Sequence, residues 1–396
     1  MQKIVYCATD QTVPGTKGGS THVLAVAEGL AALGNEVHVA AQPGADGFPS
    51  DGMHGVHWHA IGAPFGMPTL RMMRTFAVDR LIRDVRPDII IERYHNFGGE
   101  SLRSAGWHVL EVNAPIVDYP NSPKQRLDRA LLVEPFRRWR DWQCRVADRF
   151  VVPTRAILPD WIPGEKIHET EWGVDTTRFR PGAQPPPGMK LPFTRDSRLI
   201  VIFIGAFRAW HGVRHLVRAM AQLRARDIGL DDIHAVLIGD GPEREPAEAE
   251  ARAAGLDASI TFTGALPHDL LPACLAAADI GVAPFDTAAH PPLSLAFYWS
   301  PLKVFEYMAA GLPVVAPDIP RLRQILGAGE AGLLYDAANP RGLADAIAAL
   351  ALAGPQRRAA LGAAARARAE REYSWMSHCE RLIHAVTPPP PSRSHR

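Results

Sequence analysis

Lys303 and Glu306 stand three residues apart in the run Ser300 to Gly311, SPLKVFEYMAAG, a spacing that puts both on one face of a helix. Pro301 suits the first turn of that helix, where backbone N–H groups lack intrahelical acceptors. Those amides, at Leu302 and its neighbours beside Ser300, favour phosphate together with Lys303. A glutamate on the same face can accept two hydrogen bonds from a ribose diol. The plainer alternative is an exposed i,i+3 ion pair. Gly205 to Gly212, GAFRAWHG, brings Arg208 and His211 to the end of an apolar run, where a guanidinium can clamp phosphate oxygens; a solvated arginine and a packed histidine are the alternative. Gly239-Asp240-Gly241-Pro242 is first of all a tight turn, but Gly239 would also let a nucleotide approach backbone. Near the start, Gly15-Thr16-Lys17-Gly18-Gly19 precedes a helix, so the Gly18 and Gly19 amides can face an anion. No G-x-G-x-x-G occurs there, and the dinucleotide fingerprint fails.

The elements that must hold these residues alternate. A strand at the start is followed by the glycine loop and by apolar residues at Val23, Val26, Ala27, Leu30 and Leu33, the spacing of one helical face, then by a strand Glu36 to Ala41. This is a parallel βαβ unit. A helix over Leu70 to Arg83 and strands Asp88 to Glu92 and Val109 to Val112 extend the layer. No periodic element crosses the proline-rich Gly182 to Pro192, which reads as a linker. Beyond it strands are expected at Leu199 to Ile204, Ala235 to Ile238, Ile260 to Phe262, Ile280 to Ala283 and Pro313 to Ala316. Helices are expected at Val213 to Ala225, Glu245 to Ala254, Leu270 to Ala277 and Pro301 to Ala310. The reading is an α/β chain of two doubly wound, Rossmann-like domains facing a cleft, 1–184 and 185–370. A helix near Trp375 to Val386, within 371–387, follows, and 388–396 are a disordered tail.

Composition narrows the class. The chain has 396 residues, enough for two or three domains, and 47% are hydrophobic, enough for a core in each. Its 43 basic and 42 acidic residues nearly cancel, which argues against a nucleic-acid partner. Cys7, Cys144, Cys274 and Cys379 are too far apart for a CxxC motif and read as reduced thiols of a cytoplasmic protein. The opening MQKIVYCATD reads as a strand rather than a secretory signal, and no apolar run approaches the ~18 residues of a membrane span. Lys124 to Arg149 carries eight basic and four acidic side chains with Phe136, Trp139 and Trp142 interleaved. Such a face, like Leu70 to Arg83, can lie peripherally on the inner surface of an anionic membrane; ordinary solvated helices with buried aromatics are the alternative.

Taken together, these residues resemble glycosyltransferase family 4, retaining nucleotide-sugar enzymes of the GT-B fold. KGGSTHVLAVAEGLAALGNEVHV looks like the family's amino-terminal loop and helix, and WGVDTTRF, Trp172 to Phe179, is similar to its NGVD-x-x-x-F segment. GDGP, FTG and AADIGVAP follow in the family order. ERY at Glu92 to Tyr94, EVNAP at Glu111 to Pro115 and SPLKVFEYMAAG resemble one subgroup. Trp172 stands in place of the asparagine of NGVD-x-x-x-F, and three further departures stand out. The family's E-x7-E motif keeps Glu306 but has Tyr298 at its first position, Asn113 replaces a histidine common after the fifth strand, and His211 replaces a frequent lysine.

The resemblance implies transfer of a sugar from a nucleoside diphosphate sugar to an acceptor hydroxyl with retention of anomeric configuration. Arg208, Lys303, His211 and the Gly18 and Gly19 amides are the groups for the departing diphosphate, with Glu306 on the ribose. Gly239, Tyr298, Ser300 and Leu302 complete the donor side, and Asn113, Glu111 and Arg93 orient sugar or acceptor. No D-x-D occurs in the sequence, so neither a metal nor another cofactor is expected. The acceptor is expected to be a saccharide, with lipid-linked or envelope acceptors common in the family. The same signals leave room for a sugar-nucleotide epimerase or phosphorylase on this fold, or a noncatalytic partner subunit. The resemblance also implies that the last helix packs back on the amino-terminal domain.

Overall fold

Runs such as Ile89 to Ile91 and Leu199 to Ile204 are apolar on both pleat faces, as strands covered by helices on each side must be. In a computed structural model of the chain both are buried in all-parallel sheets. The structure describes residues 1–15, 18–49, 55–62, 74–96, 98–131, 134–195, 198–225 and 233–388.

The chain divides into two units. The first comprises Met1–Gly173, Tyr298–Ser300 and Trp375–Arg396, the second Val174–Phe297 and Pro301–Ser374. The first begins β1 (Lys3–Val13), α1 (Gly18–Ala32), β2 (Glu36–Pro43), β3 (Val56–Ala60), α2 (Arg74–Val85), β4 (Ile89–Arg93) and β5 (His108–Glu111). It continues with α3 (Pro123–Ala130), α4 (Pro135–Val146), β6 (Arg149–Val152) and β7 (Ile167–Glu169), and the strands lie in the order β3-β2-β1-β4-β5-β6-β7. The second unit begins β8 (Leu199–Ile204), α5 (Val213–Arg224), β9 (Ile233–Ile238), α6 (Arg244–Ala253), β10 (Ile260–Gly264), α7 (Leu271–Ala276) and β11 (Ile280–Val282). There follow α8 (Leu302–Ala309), β12 (Val314–Pro317), α9 (Pro320–Ile325), β13 (Gly332–Tyr335), α10 (Gly342–Leu352) and α11 (Gly354–Glu372); its sheet order is β10-β9-β8-β11-β12-β13. In each sheet the strand order reverses once, beside β1 and beside β8, where doubly wound folds bind ligands.

Alternation assigns the faces. Ile4, Tyr6, Val37, Val39, Ile91 and Val109 turn to one side of the first sheet, under α1 and the final helix α12 (Trp375–Val386). Val5, Cys7, Ala40 and Ile90 turn to the other, under Val78, Leu81 and Ile82 of α2. The four cysteines are buried and unpaired. α12 contributes Cys379, Leu382 and Val386 to the first core, and a Cβ at Gly29 would stand 2.5 Å from the Cys379 sulfur. Its end is tied by Trp107 Nε1 donating to Val386 O (2.9 Å) and Arg149 Nε donating to Ala385 O (2.8 Å).

Several expected boundaries move. The chain changes unit at Gly173–Val174 and Ser374–Trp375, not within Gly182 to Pro192, so the divisions at 184/185 and 370/371 are displaced. The reason is a parallel bridge of Val174 with Ser374, with Val174 N donating to Tyr373 O (2.7 Å), which fastens the chain to the second unit before the prolines begin. Tyr298–Ser300 belong to the first unit although the sequence around them belongs to the second. α8 starts at Leu302 because Pro301 keeps a non-helical ψ of 74°. Strands β3, β6, β7 and β13 escape the reading. β3, VHWHA, has two histidines where a buried strand would be apolar. Thr16 and Lys17, Leu70 to Met73 and the tail from 389 onward lie outside the described residues.

Candidate functional site

In the second unit the chain turns at the end of β8 through Gly205, whose φ of +138° only glycine adopts easily. A Cβ there would stand 2.7 Å from Lys303 Nζ, so the missing side chain admits the lysine from α8. The Lys303 ammonium is buried, 4.1 Å from the centre of the Phe203 ring and 5.3 Å from that of Phe285, and has no hydrogen-bond partner among the described residues. Burial pulls its pKa down to about 7 against the raising effect of Glu306. One turn on, Glu306 is pushed up to about 7 by burial, opposed by Lys303 and Arg178; its Oε1 lies 3.9 Å from His268 Nε2. The expected alternative of an exposed Lys303–Glu306 ion pair does not describe this geometry. The ammonium thus faces two aromatic rings from the first turn of a helix.

The neighbouring groups divide. Arg208 is exposed, its guanidinium 5.9 Å above the Trp210 ring. His211 is not the cation the sequence reading made it. Its Nδ1 lies 2.6 Å from Ala206 O, and burial, with Lys303 and Arg208 nearby, pulls its pKa to about 3, so it is neutral. Gly239 serves packing: a side chain there would strike the carbonyl of Gly205 and come within 3.0 Å of Phe207. Leu302 is the first residue of α8, ahead of the ladder that opens with Val304 N to Pro301 O (2.8 Å).

In the first unit the site is a buried polar cluster. Arg93 and Glu111 are register neighbours at the carboxyl ends of β4 and β5. The Glu111 carboxylate accepts from Tyr6 Oη (2.5 Å), Asn113 Nδ2 (2.5 Å) and Arg93 Nη1 (3.3 Å), with His22 Nε2 at 2.7 Å. Burial alone would raise its pKa; His22, Arg93 and Tyr6 overcome that and hold it well below the ordinary carboxylate range. Burial lowers the pKa of His22 against the raising effect of Glu111, while against burial that of Arg93 is raised by Glu111 and Tyr6. Arg93 is shared with Asp10 at 3.8 Å. A Cβ at Gly19 would run into Gln11 and stand 3.3 Å from Arg93 Nη2, so the start of α1, with Gly18, lies against this guanidinium.

Asn113 is held at both ends, giving a hydrogen bond to Glu111 and taking one from Trp172 Nε1 (2.9 Å). Two of the departures from the family pattern, Trp172 and Asn113, are therefore partners. The Trp172 ring also packs edge-on to His22 at 4.3 Å and under Arg93 at 5.8 Å. Ser300, expected on the donor, is engaged within the first unit. Its Oγ donates to Glu171 Oε2 (2.9 Å) and accepts from Trp172 N (3.3 Å). Tyr298 is buried, stacked on Trp299 at 6.3 Å, with its hydroxyl pushed up to about 12 by burial. Tyr6 and His22 were missed; each reads as an apolar-face residue of its element. The basic stretch is also reassigned. Trp139 and Trp142 are half-buried 4.7 Å apart beneath Arg103, and Trp139 Nε1 donates to Gly98 O (3.0 Å), while Leu127 and Leu131 are the exposed apolar side chains. Among the described residues no helix is long and apolar enough to cross a membrane.

Comparison with known proteins places the chain in a family. Residues 16–178 match the model of Glycosyltransferase Family 4 and residues 198–352 that of Glycosyl transferases group 1. A GDP-mannose-dependent alpha-mannosyltransferase of Mycolicibacterium smegmatis is 28% identical over 84% of each chain. A GDP-mannose-dependent alpha-(1-6)-phosphatidylinositol monomannoside mannosyltransferase of the same organism is 28% identical over 57% of each. The chain spans little more than half the length of that relative and of its Mycobacterium tuberculosis counterparts. Among solved structures, sucrose-phosphate synthase from Thermosynechococcus elongatus superimposes with a TM-score of 0.69 at 20% identity, covering 97% of this chain and 98% of that one. Anabaena HepE with UDP and glucose does so with 0.68 at 16%, covering 98% and 99%. Both likenesses are of the GT-B fold. With one family model on each unit, the chain belongs to the family 4, group 1 glycosyltransferases.

Proposed function

We propose that this protein is a retaining glycosyltransferase that moves a sugar from a nucleoside diphosphate sugar to an acceptor hydroxyl without a metal. The observation that carries the reading is Lys303, a buried ammonium at the start of α8 without a hydrogen-bond partner among the described residues. A diphosphate beside it would supply the missing acceptors, and charge on the departing diphosphate would be met by Lys303, by the first amides of α8 and by Arg208. Glu306, one turn further on, is the group for the ribose hydroxyls. Glu111, Arg93 and Asn113 form a rigid polar floor for sugar or acceptor, because each is held by at least one of the others. Retention follows from the family rather than from any distance. GDP-mannose is the first donor to test, since the mannosyltransferase relatives are named for it.

A lipid-linked or envelope saccharide is the acceptor class we favour. The relative acting on a phosphatidylinositol mannoside supports it, as do exposed Phe76 on α2 and exposed Leu127 on α3, two basic helices of a kind suited to peripheral membrane contact. The test is nucleotide release from GDP-mannose by the purified chain, with and without a lipid-linked mannoside acceptor, followed by NMR assignment of the new linkage. Release that depends on the acceptor, with an α product from an α donor, supports the proposal. Epimerised donor without acceptor, or a β product, contradicts it.

A further inference from the structure

Parallel strands covered on both faces are normally apolar on both. The first sheet departs from that rule at the buried polar ends of β4 and β5 and, on its α2 side, in β2 and β3. Glu36 and His38 of β2 and His57 and His59 of β3 all point to that face, because each pair is two residues apart and His38 is the register partner of His57. α2 covers Val5, Cys7, Ala40 and Ile90 on this side, and the histidines lie beyond it toward the sheet edge. His38 is the centre of the group. Its ring is stacked on His57 at 4.7 Å and on His59 at 5.2 Å, its Nδ1 is 3.0 Å from His59 Nε2, and its Nε2 is 3.0 Å from Glu36 Oε1.

We propose that Glu36, His38 and His57, with His59 in reserve, form a binding site for a divalent transition metal of the zinc class. One ligand atom from each of the first three already lies within 4.8 Å of the others. Ligand atoms around tetrahedral zinc stand about 3.4 Å apart, so side-chain rotation of about an ångström closes the set. Imidazole with carboxylate suits zinc, nickel or copper and not calcium or magnesium, which require oxygen. Three ligands on an open face leave the fourth position to water. The competing group is Lys3, whose Nζ lies 3.1 Å from Glu36 Oε1. Both partners are more than a third exposed, and such pairs are weak enough for a dication to displace. The site is remote from the Arg93–Glu111 cluster, which sits at the carboxyl ends of its strands, whereas Glu36 opens β2. Metal bound here would pin edge strand β3 to β2 and take no part in sugar transfer.

The test is a Zn²⁺ titration of the tag-free chain by calorimetry in the presence of a competing chelator, repeated with Co²⁺ for its absorption spectrum. The expected result is one high-affinity ion per chain, weakened at least tenfold in His38→Ala and in His57→Ala, with Co²⁺ bands of a nitrogen and oxygen ligand set. His57 is exposed, so its alanine variant carries the test even if His38→Ala folds poorly. Unchanged Zn²⁺ affinity in His57→Ala, or no stoichiometric binding to the wild type, overturns the proposal.

Discussion

Replacing Lys303 by Met should make the empty protein more stable while it destroys the anion site. Burial lowers the lysine pKa from 10.5 to about 7, with Glu306 opposing. A shift of ~3.5 units at ~1.36 kcal/mol each sets an upper limit of ~5 kcal/mol on the cost of holding the ammonium there at low pH. Met fills the same space without charge, but forfeits the cation's contact with Phe203, worth ~0.5 to 2 kcal/mol. A net gain of at most about 3 to 4.5 kcal/mol at pH 6 remains. The sign follows from proton linkage. Between pH 7 and 10.5 the unfolded lysine holds a proton that the folded one has lost, so wild-type stability rises with pH across that window. The advantage of Met is therefore full below pH 7 and almost gone at pH 10. Working at pH 6 also keeps Glu306 largely protonated, since its own pKa is pushed up to about 7 by burial. Urea denaturation at pH 6 and pH 10 measures the difference, and calorimetry with GDP measures the lost affinity. Loss of a charge-assisted hydrogen bond of ~1.5 to 3 kcal/mol corresponds to about 10 to 150-fold weaker binding. A variant that is less stable than wild type and binds GDP equally well would show that the ammonium is structural, and the reasoning fails.

Other consequences can be checked separately. Glu111→Gln should lower stability by ~3 kcal/mol in urea, because it leaves the buried Arg93 guanidinium without its principal counter-charge; a change below ~1 kcal/mol would contradict the cluster's role. Chelation with EDTA should leave initial transfer rates within about twofold, since the cations at the diphosphate are side chains, and a loss restored by Mg²⁺ or Mn²⁺ would refute this. Deleting Trp375 to Arg396 should unfold the first unit, because Cys379, Leu382 and Val386 are buried in its core at ~1.5 to 3 kcal/mol for each large aliphatic side chain. A folded, cooperative truncation product by circular dichroism would count against that packing.

The parallel sheets were legible because their central strands are continuous apolar runs and their glycine turns fall just after them. Gly205 is an example in which one residue both ends a strand and makes room for Lys303. Edge elements were not legible. β3 carries His57 and His59 where a buried strand would be apolar, and the exchange of Tyr298–Ser300 into the first unit leaves no mark on local periodicity. Of the candidate site, Lys303, Glu306, Arg93 and Glu111 are conspicuous in the sequence because charge stands out in an apolar context. His211 was misjudged as a cation because residue type does not reveal that its ring is buried beside Lys303 and Arg208. Trp172 and Asn113 were noticed only as two separate departures, 59 positions apart, and their hydrogen bond exists only in the folded chain. Tyr6 and His22 were hidden by the opposite effect. Each occupies a buried position of its strand or helix, and what distinguishes it is the Glu111 oxygen it meets there.

The central claim, that the face of α8 holds a nucleoside diphosphate, rests most directly on Glu306. Calorimetric titration of GDP and UDP into wild type, Glu306→Gln and Glu306→Ala, each confirmed folded by its melting profile, isolates that contact. If the carboxylate accepts hydrogen bonds from the ribose, at least one nucleotide should bind about 10 to 150-fold more weakly to each variant. Folded Glu306→Ala protein that binds both nucleotides with wild-type affinity would contradict the account.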